Sequence, residues 1–115
     1  MKGVITGGTG HQSIIAEKTV EWCLTRLKLS PDLTIRLNLI SKRGCWGECV
    51  EGDEPGSYII HVEPRQSLRD FVATICHEMI HVQQWETGKW DGDGEKEAER
   101  RQYRLTDELW KENLL

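Results

Sequence analysis

The segment from Ser67 to Gly88 most constrains the fold, because it carries start and stop signals for one long helix. Ser67 and Asp70 have the spacing of a capping box and Gly88 supplies a stop, which predicts a helix over residues 68–87. One face of this helix carries Leu68, Phe71, Val72, Ile75, Met79 and Val82, and the other side carries Ala73 and Ile80. A helix that is apolar on both sides is expected at the centre of the domain.

The remaining hydrophobic periodicity predicts an α+β fold around this central helix. Apolar residues at helical spacing predict a first helix over residues 11–29 and a last helix over about 94–113. The last helix has an inward stripe made of Ala98, Gln102, Leu105 and Leu109. Alternating apolar residues predict strands over 33–41 and 57–63. A loop rich in glycine and charge connects the two strands, so we expect them to form an antiparallel pair.

Length and charge restrict the class of protein. A chain of 115 residues is expected to form a single domain, residues 1–115. The net charge is −4 and no long cluster of Lys and Arg is present, so nucleic acid is not expected as a partner. The sequence shows neither a signal peptide nor an apolar run long enough to cross a membrane, which predicts a cytoplasmic protein with reduced cysteines and no membrane partner.

Two histidines on the central helix have the spacing of metal ligands. His77 and His81 are four residues apart and therefore share one face, where two imidazole nitrogens can converge on one zinc ion. Glu78 is one step around the helix and can reach a water on the metal. The alternative is that two histidines share a helix face without any metal. The capped helix with apolar flanks favours the metal, because buried histidines need partners.

A catalytic zinc usually has three protein ligands, and no histidine follows His81, so the third candidate must be acidic. The acidic candidates downstream are Asp91, Asp93, Glu95, Glu97 and Glu99. Helical phase places Glu95 on the inward stripe of the last helix. It places Glu97 toward solvent, where Arg101 can pair with it. Glu99, one turn beyond Glu95, stays near the inner face and can accept the outer N–H of a ligand histidine.

The string HEMIH followed by EKEAE resembles the zincin metallopeptidases of the gluzincin type, and also small SprT-like and phage-type minimal zincins. The resemblance covers roughly residues 57–103. It implies a minimal zincin fold and one Zn²⁺ ion held by His77, His81 and Glu95. It also implies that Glu78 is the catalytic base and Glu99 the carboxylate that orients a ligand histidine. Most gluzincins have Asp at the position of Glu99, and SprT proteins use a third histidine that this chain lacks.

This resemblance implies a zinc-dependent metalloendopeptidase in which Glu78 activates a zinc-bound water and returns the proton to the leaving amine. The expected partner is a peptide or protein substrate lying along the strand at 57–63. Tyr103, His61 and Tyr58 are candidate donors to the transition-state oxyanion. The alternative function is a non-catalytic, zinc-stabilised structural or interaction module with a closed metal site, which would have no use for Glu78.

Three further patterns have simpler explanations. VITGGTGHQS resembles a nucleotide-binding turn, but Ser13 replaces the third glycine, so we expect a loop that leads into the first helix. DGDGE resembles a calcium loop, but Lys96 stands at the glycine position, so helix entry with Asp93 as cap is favoured. For Cys45 and Cys49, free thiols or a redox-labile pair are favoured over half of a structural zinc site.

Overall fold

The computed structural model describes residues 2–42 and 44–112, and within them it shows an α+β fold with three helices and one mixed sheet of four strands. In chain order the elements are β1 (Lys2–Gly7), α1 (Gly10–Arg26), β2 (Thr34–Leu39), β3 (Gly47–Glu51), β4 (Ser57–Val62), α2 (Leu68–Thr87) and α3 (Glu95–Lys111). The three predicted helices are confirmed, although the predicted end of the last one, at 113, lies outside the described residues. Ser67 and Gly88 cap α2 as expected.

The predicted antiparallel pairing of the two strands is wrong. The sheet has the order β1-β2-β4-β3, and β2 runs parallel to both β1 and β4, while β3 is antiparallel to β4. The connection that was predicted to be a loop contains β3. Each reversal of the chain inverts its direction, so the two reversals on either side of β3 bring β4 back parallel to β2.

The N-terminal segment is a strand and not only a loop. Residues Lys2–Gly7 form β1, and Thr9 then caps α1 by accepting a hydrogen bond from the backbone N–H of Gln12. The Gln12 side chain returns a bond to the N–H of Thr9, which completes a capping box. Helix α1 thus connects the parallel neighbours β1 and β2.

Helix α2 is the central helix, as predicted, and it packs against α1, α3, β3 and β4. Its buried apolar residues are Phe71, Val72, Ala73, Ile75, Cys76, Met79, Ile80 and Val82. They meet the alternating buried residues of β2 and β4, which include Ile35, Leu37, Ile60 and Val62. Each such side chain stabilises the fold by about 1.5–3 kcal/mol through removal from water. Leu68, expected on the apolar face, is 44% exposed because it is the first residue of the helix.

The sheet order also bears on the strand at 57–63, along which a substrate was expected to lie. β4 is paired on both sides, so it has no free edge for an added strand, whereas β3 lies at the edge of the sheet. A peptide that pairs with the sheet on this side must therefore pair with β3. Within residues 2–42 and 44–112, none of the helices has both the length and the apolar character needed to cross a membrane.

Candidate metal centre

His77 and His81 lie one turn apart on α2 and present their rings to the same side. Their ring centroids are 4.9 Å apart with an angle of 77° between the planes. Both side chains are mostly buried, with 14% and 11% of their surfaces exposed. This is the geometry that a spacing of four residues produces on a helix, and it leaves the two Nε2 atoms on the same side.

The carboxylate of Glu95 faces both of these nitrogens. Its Oε2 lies 3.0 Å from Nε2 of His77, and its Oε1 lies 2.8 Å from Nε2 of His81. Glu95 is the first residue of α3, where the helix dipole favours a negative charge, and its backbone N–H donates to Oδ1 of Asp93. One acidic residue from α3 thus meets two histidines from α2.

One of these nitrogens is buried and lacks a partner of proper geometry. Nε2 of His81 makes no hydrogen bond with any described residue, although Oε1 of Glu95 is only 2.8 Å away, because the two groups are not aligned for one. Buried polar atoms without partners are rare. A metal ion bound by both imidazoles and the Glu95 carboxylate would give this nitrogen a partner, so the residues present fit a metal ion.

The other nitrogen of each ring is held by a glutamine. Nδ1 of His77 lies 2.6 Å from Oε1 of Gln102, and Nδ1 of His81 lies 2.8 Å from Oε1 of Gln84. An amide oxygen only accepts hydrogen bonds, so each Nδ1 carries a proton and donates it to its glutamine, and Nε2 is the nitrogen that a metal ion would bind in place of its contact with Glu95. This is the tautomer that a metal ligand needs.

Glu78 is a buried acid beside the two imidazoles, with only 4% of its surface exposed. Ligand atoms of His77, Glu78 and His81 all lie within 4.8 Å of one another, so this group could hold a metal ion. Burial, followed by the negative charges of Glu95 and Glu48, raises the pKa of Glu78 from 4.5 to about 8.

Strand β3 covers Glu78 with a glycine. A Cβ atom added to Gly47 would lie 2.5 Å from Cγ2 of Thr74 and 2.8 Å from Oε2 of Glu78. Any larger residue would therefore push against the carboxylate. The edge strand and the candidate base are thus in direct contact.

A cleft of about 760 Å³ opens beside His77 and Glu78, and it is also lined by Trp46, Gly47, Glu99 and Tyr103. The hydroxyl of Tyr103 donates to Oδ1 of Asp70 at 3.0 Å, and this bond raises the pKa of Tyr103, so the hydroxyl keeps its proton. Tyr103 is therefore placed where a donor to a bound substrate could act.

Two other candidate donors lie away from this cleft. His61 is on the face of β4 opposite the buried Ile60 and Val62, and its register partners are Asn38 and Glu48. It therefore projects from the side of the sheet that faces away from α2. Tyr58 is buried, stacks on Trp85 and donates to Glu86. Neither of the two residues lines the cleft.

Glu99 lies on the wall of the cleft and is exposed to solvent. In the part of the chain that the structure describes, no hydrogen bond joins it to either imidazole, and Gln102 occupies the place that was expected for it. Glu97 pairs with Arg101 at 3.0 Å, as expected, but its side chain is only 30% exposed and also accepts a bond from Gln84. Helical phase therefore placed Glu95 and Arg101 well and misplaced Glu99.

Comparisons with family models, curated proteins and solved structures found no match. Function is therefore inferred from the residues of the site. The group His77, Glu78 and His81 could hold a metal ion on its own geometry, and Glu95 lies within 3.0 Å of both imidazoles.

Gln84 and Gln102 are site residues that the sequence reasoning did not single out. The signal for Gln102 was present, since it is a polar residue on the otherwise apolar stripe of α3. Gln84 follows His81 by three residues, which puts it one turn further along the same face. It is 5% exposed, and a buried amide at this spacing indicates a specific partner.

Cys45 and Cys49 are both free thiols, as are Cys23 and Cys76. Cys45 lines the cleft and donates to the carbonyl oxygen of Gly47 at 2.7 Å. Burial, followed by the charge of Glu78, raises the pKa of Cys49, so this thiol keeps its proton.

Proposed function

We propose that this protein is a zinc-dependent metalloendopeptidase with a minimal, gluzincin-type zincin site. The observation that supports this best is the convergence of both histidine Nε2 atoms on the Glu95 carboxylate, at 3.0 and 2.8 Å. Three ligands of this kind from two helices match the His₂Glu set of catalytic zinc sites. The buried acid Glu78 beside them is what peptide hydrolysis requires in addition.

His77, His81 and Glu95 would hold one Zn²⁺ ion. When bound, the zinc ion acts as a Lewis acid that lowers the pKa of a water to about 7 and polarises the substrate carbonyl. The chain itself supplies the orientation of the ligands. Gln102 and Gln84 keep the protons on the outer nitrogens, so both Nε2 electron pairs are available to the metal.

Glu78 moves the proton in this proposal. Its carboxyl group is buried, and its pKa of about 8 in the metal-free protein means that it can hold a proton near neutral pH. A nearby cation lowers the pKa of a carboxyl group, so metal binding would make Glu78 a base. Glu78 would take a proton from the attacking water and deliver it to the leaving amine.

The substrate is proposed to be an extended peptide or protein segment that pairs with β3. This strand lies at the edge of the sheet, and its first residue, Gly47, faces Glu78. A peptide in this position would enter the cleft that Trp46 and Tyr103 line. Tyr103 is the proposed donor to the developing oxyanion, and for this its hydroxyl would turn away from Asp70, to which it donates in the metal-free protein.

The deciding experiment replaces Glu78 by glutamine. The purified wild type and Glu78→Gln are compared for zinc content and for hydrolysis of a denatured protein, with Glu21→Gln, on the exposed surface of α1, as the matched control. We expect equal zinc content in all three proteins and loss of hydrolysis in Glu78→Gln alone.

Two results would contradict the proposal in different ways. Unchanged hydrolysis in Glu78→Gln would exclude Glu78 as the base. A wild type that binds one zinc ion and hydrolyses nothing would favour the non-catalytic zinc module, although a cleft of about 760 Å³ beside His77 and Glu78 is not expected of a closed structural site.

A further inference from the structure

The buried amide of Gln84 contacts three different groups at once. Its Oε1 lies 2.8 Å from Nδ1 of His81, and its Nε2 donates to the carbonyl oxygen of Gly94 at 3.0 Å and to Oε1 of Glu97 at 2.8 Å. These groups come from α2, from the loop before α3 and from the first turn of α3. The amide therefore bridges a candidate metal ligand and the start of the helix that supplies another.

The orientation of this amide follows from its surroundings. Both neighbours of Nε2, the carbonyl of Gly94 and the carboxylate of Glu97, are acceptors. Turning the amide over would place Oε1 against two oxygens and lose both bonds. Oε1 must therefore face His81, which places the proton of that ring on Nδ1 and leaves its Nε2 free for a metal.

The same amide fixes the position of Glu95. The residue before Glu95 is Gly94, which has a φ of +79°, and a Cβ added there would lie 2.3 Å from Oε1 of Gln84. Gly94 thus allows the loop backbone to lie directly against the amide. The carbonyl of Gly94 also accepts the N–H of Ala98 in the first turn of α3. Gln84 therefore anchors the turn from which Glu95 points toward the histidines.

We infer that Gln84 is the positioning residue of this metal site: it sets the tautomer of His81 and fixes the first turn of α3, so that Glu95 and His81 reach the same ion. The inference rests on the proposed metal site and assigns Gln84 no contact with substrate. It predicts that removal of the Gln84 amide changes the positions of His81 and Glu95 relative to each other.

The test compares Gln84→Ala with Gln83→Ala. Gln83 is the neighbouring glutamine on α2, and its side chain bonds to the carbonyl of Leu27 and to Arg101, outside the site. Zinc affinity is measured by competition with a chromophoric chelator, and folding by circular dichroism. We expect Gln84→Ala to bind zinc about 10–100-fold more weakly, and Gln83→Ala to bind it as the wild type does.

Two readouts need no metal. Long-range ¹H–¹⁵N spectra of the metal-free protein at pH 9 should show a proton of His81 on Nδ1 in the wild type and not exclusively there in Gln84→Ala. Hydrogen exchange at the amide of Ala98 should be about tenfold faster in Gln84→Ala, as loss of one supporting bond implies.

Gln84→Glu separates the two roles. A glutamate can still accept the proton of His81 but cannot donate to Gly94, so it should keep the tautomer and still accelerate exchange at Ala98. A wild type with the His81 proton on Nε2, or equal zinc affinity in the wild type and Gln84→Ala, would overturn the inference. If the wild type bound no zinc, the proposed function would fail, whereas the two metal-free readouts would still decide the role of Gln84.

Discussion

Glu78→Gln should stabilise the metal-free protein, and the gain should grow as the pH rises. Glu78 is 4% exposed, and its pKa in the folded protein is about 8 instead of 4.5. Between these pH values the folded chain keeps a proton that the unfolded chain has lost. The folded state then binds more protons, so stability falls as the pH increases.

The magnitude follows from the two pKa values. Below pH 4.5 the side chain is protonated in both states, and it has no pH-dependent effect. Between pH 4.5 and about 8 stability decreases by about 1.4 kcal/mol per pH unit, which amounts to about 3 kcal/mol at pH 7. Glutamine resembles the protonated acid in shape and carries no charge, so the variant avoids this loss.

The assay is urea unfolding of the wild type and Glu78→Gln in the presence of a chelator, at pH values from 5 to 8. The difference in the free energy of unfolding should increase steadily across this range. Glu21→Gln, at an exposed position of α1, is measured beside them as the matched surface control. A difference between the wild type and Glu78→Gln that stays constant from pH 5 to pH 8 would refute the reasoning. Saturating zinc should reduce the pH dependence, because a cation lowers the pKa of a neighbouring carboxyl group.

Three other substitutions test the site by different measurements. Glu95→Ala should weaken zinc binding at least about 100-fold in chelator competition while Glu97→Ala causes a smaller loss, because Glu95 contacts both imidazoles and Glu97 pairs with Arg101 instead; equal losses would mean that Glu95 is not a ligand. Gly47→Ala should lower the rate of hydrolysis about 100-fold at unchanged zinc content, because its Cβ displaces the Glu78 carboxylate; an unchanged rate would exclude this contact. Gln102→Glu should increase zinc affinity in chelator competition, because it adds a negative charge beside the proposed ligands. The same charge should decrease the stability of the metal-free protein in urea unfolding, and an unchanged stability would contradict this electrostatic argument.

The helices could be predicted from the sequence because their signals are local. Caps and apolar spacing in α2 lie within about 20 residues, and the same spacing puts His77 and His81 on one face. Helical phase was then enough to predict that Glu95 faces the histidines, because the phase depends only on where α3 begins and on which of its residues form the apolar stripe.

The sheet could not be predicted in the same way, because strand pairing is not local. β1 and β3 have no long alternating pattern, and three of the five residues of β3 are only partly buried and none fully. The hydrogen bonds of these strands come from segments far away in sequence, such as β1 with β2. A glycine-rich stretch such as the one around Gly47 therefore resembles a loop until its partner strand is known.

The predicted contact between a ligand histidine and Glu99 was wrong for a related reason. The phase of α3 gives the direction of a side chain, but the distance to α2 depends on how the two helices pack. Gln102 belongs to the core stripe of α3 and reaches Nδ1 of His77 at 2.6 Å, while Glu99 lies beside that stripe on the exposed wall of the cleft. Sequence alone fixes the angle around each helix, not the separation between them.

The use of two amides to hold the imidazoles has an electrostatic explanation. Glu78 and Glu95 already place two carboxylates beside the rings, and the pKa of Glu78 shows what a buried charge costs there. A third or fourth carboxylate in place of Gln84 or Gln102 would add negative charge to a region with little water, which a protein without bound metal would have to tolerate. An amide oxygen accepts the same Nδ1 proton without adding charge. The glutamines therefore let the chain fold with its ligands already oriented, and they add no further charge beside Glu78 and Glu95, the two acidic residues that are proposed to act on the water and the metal.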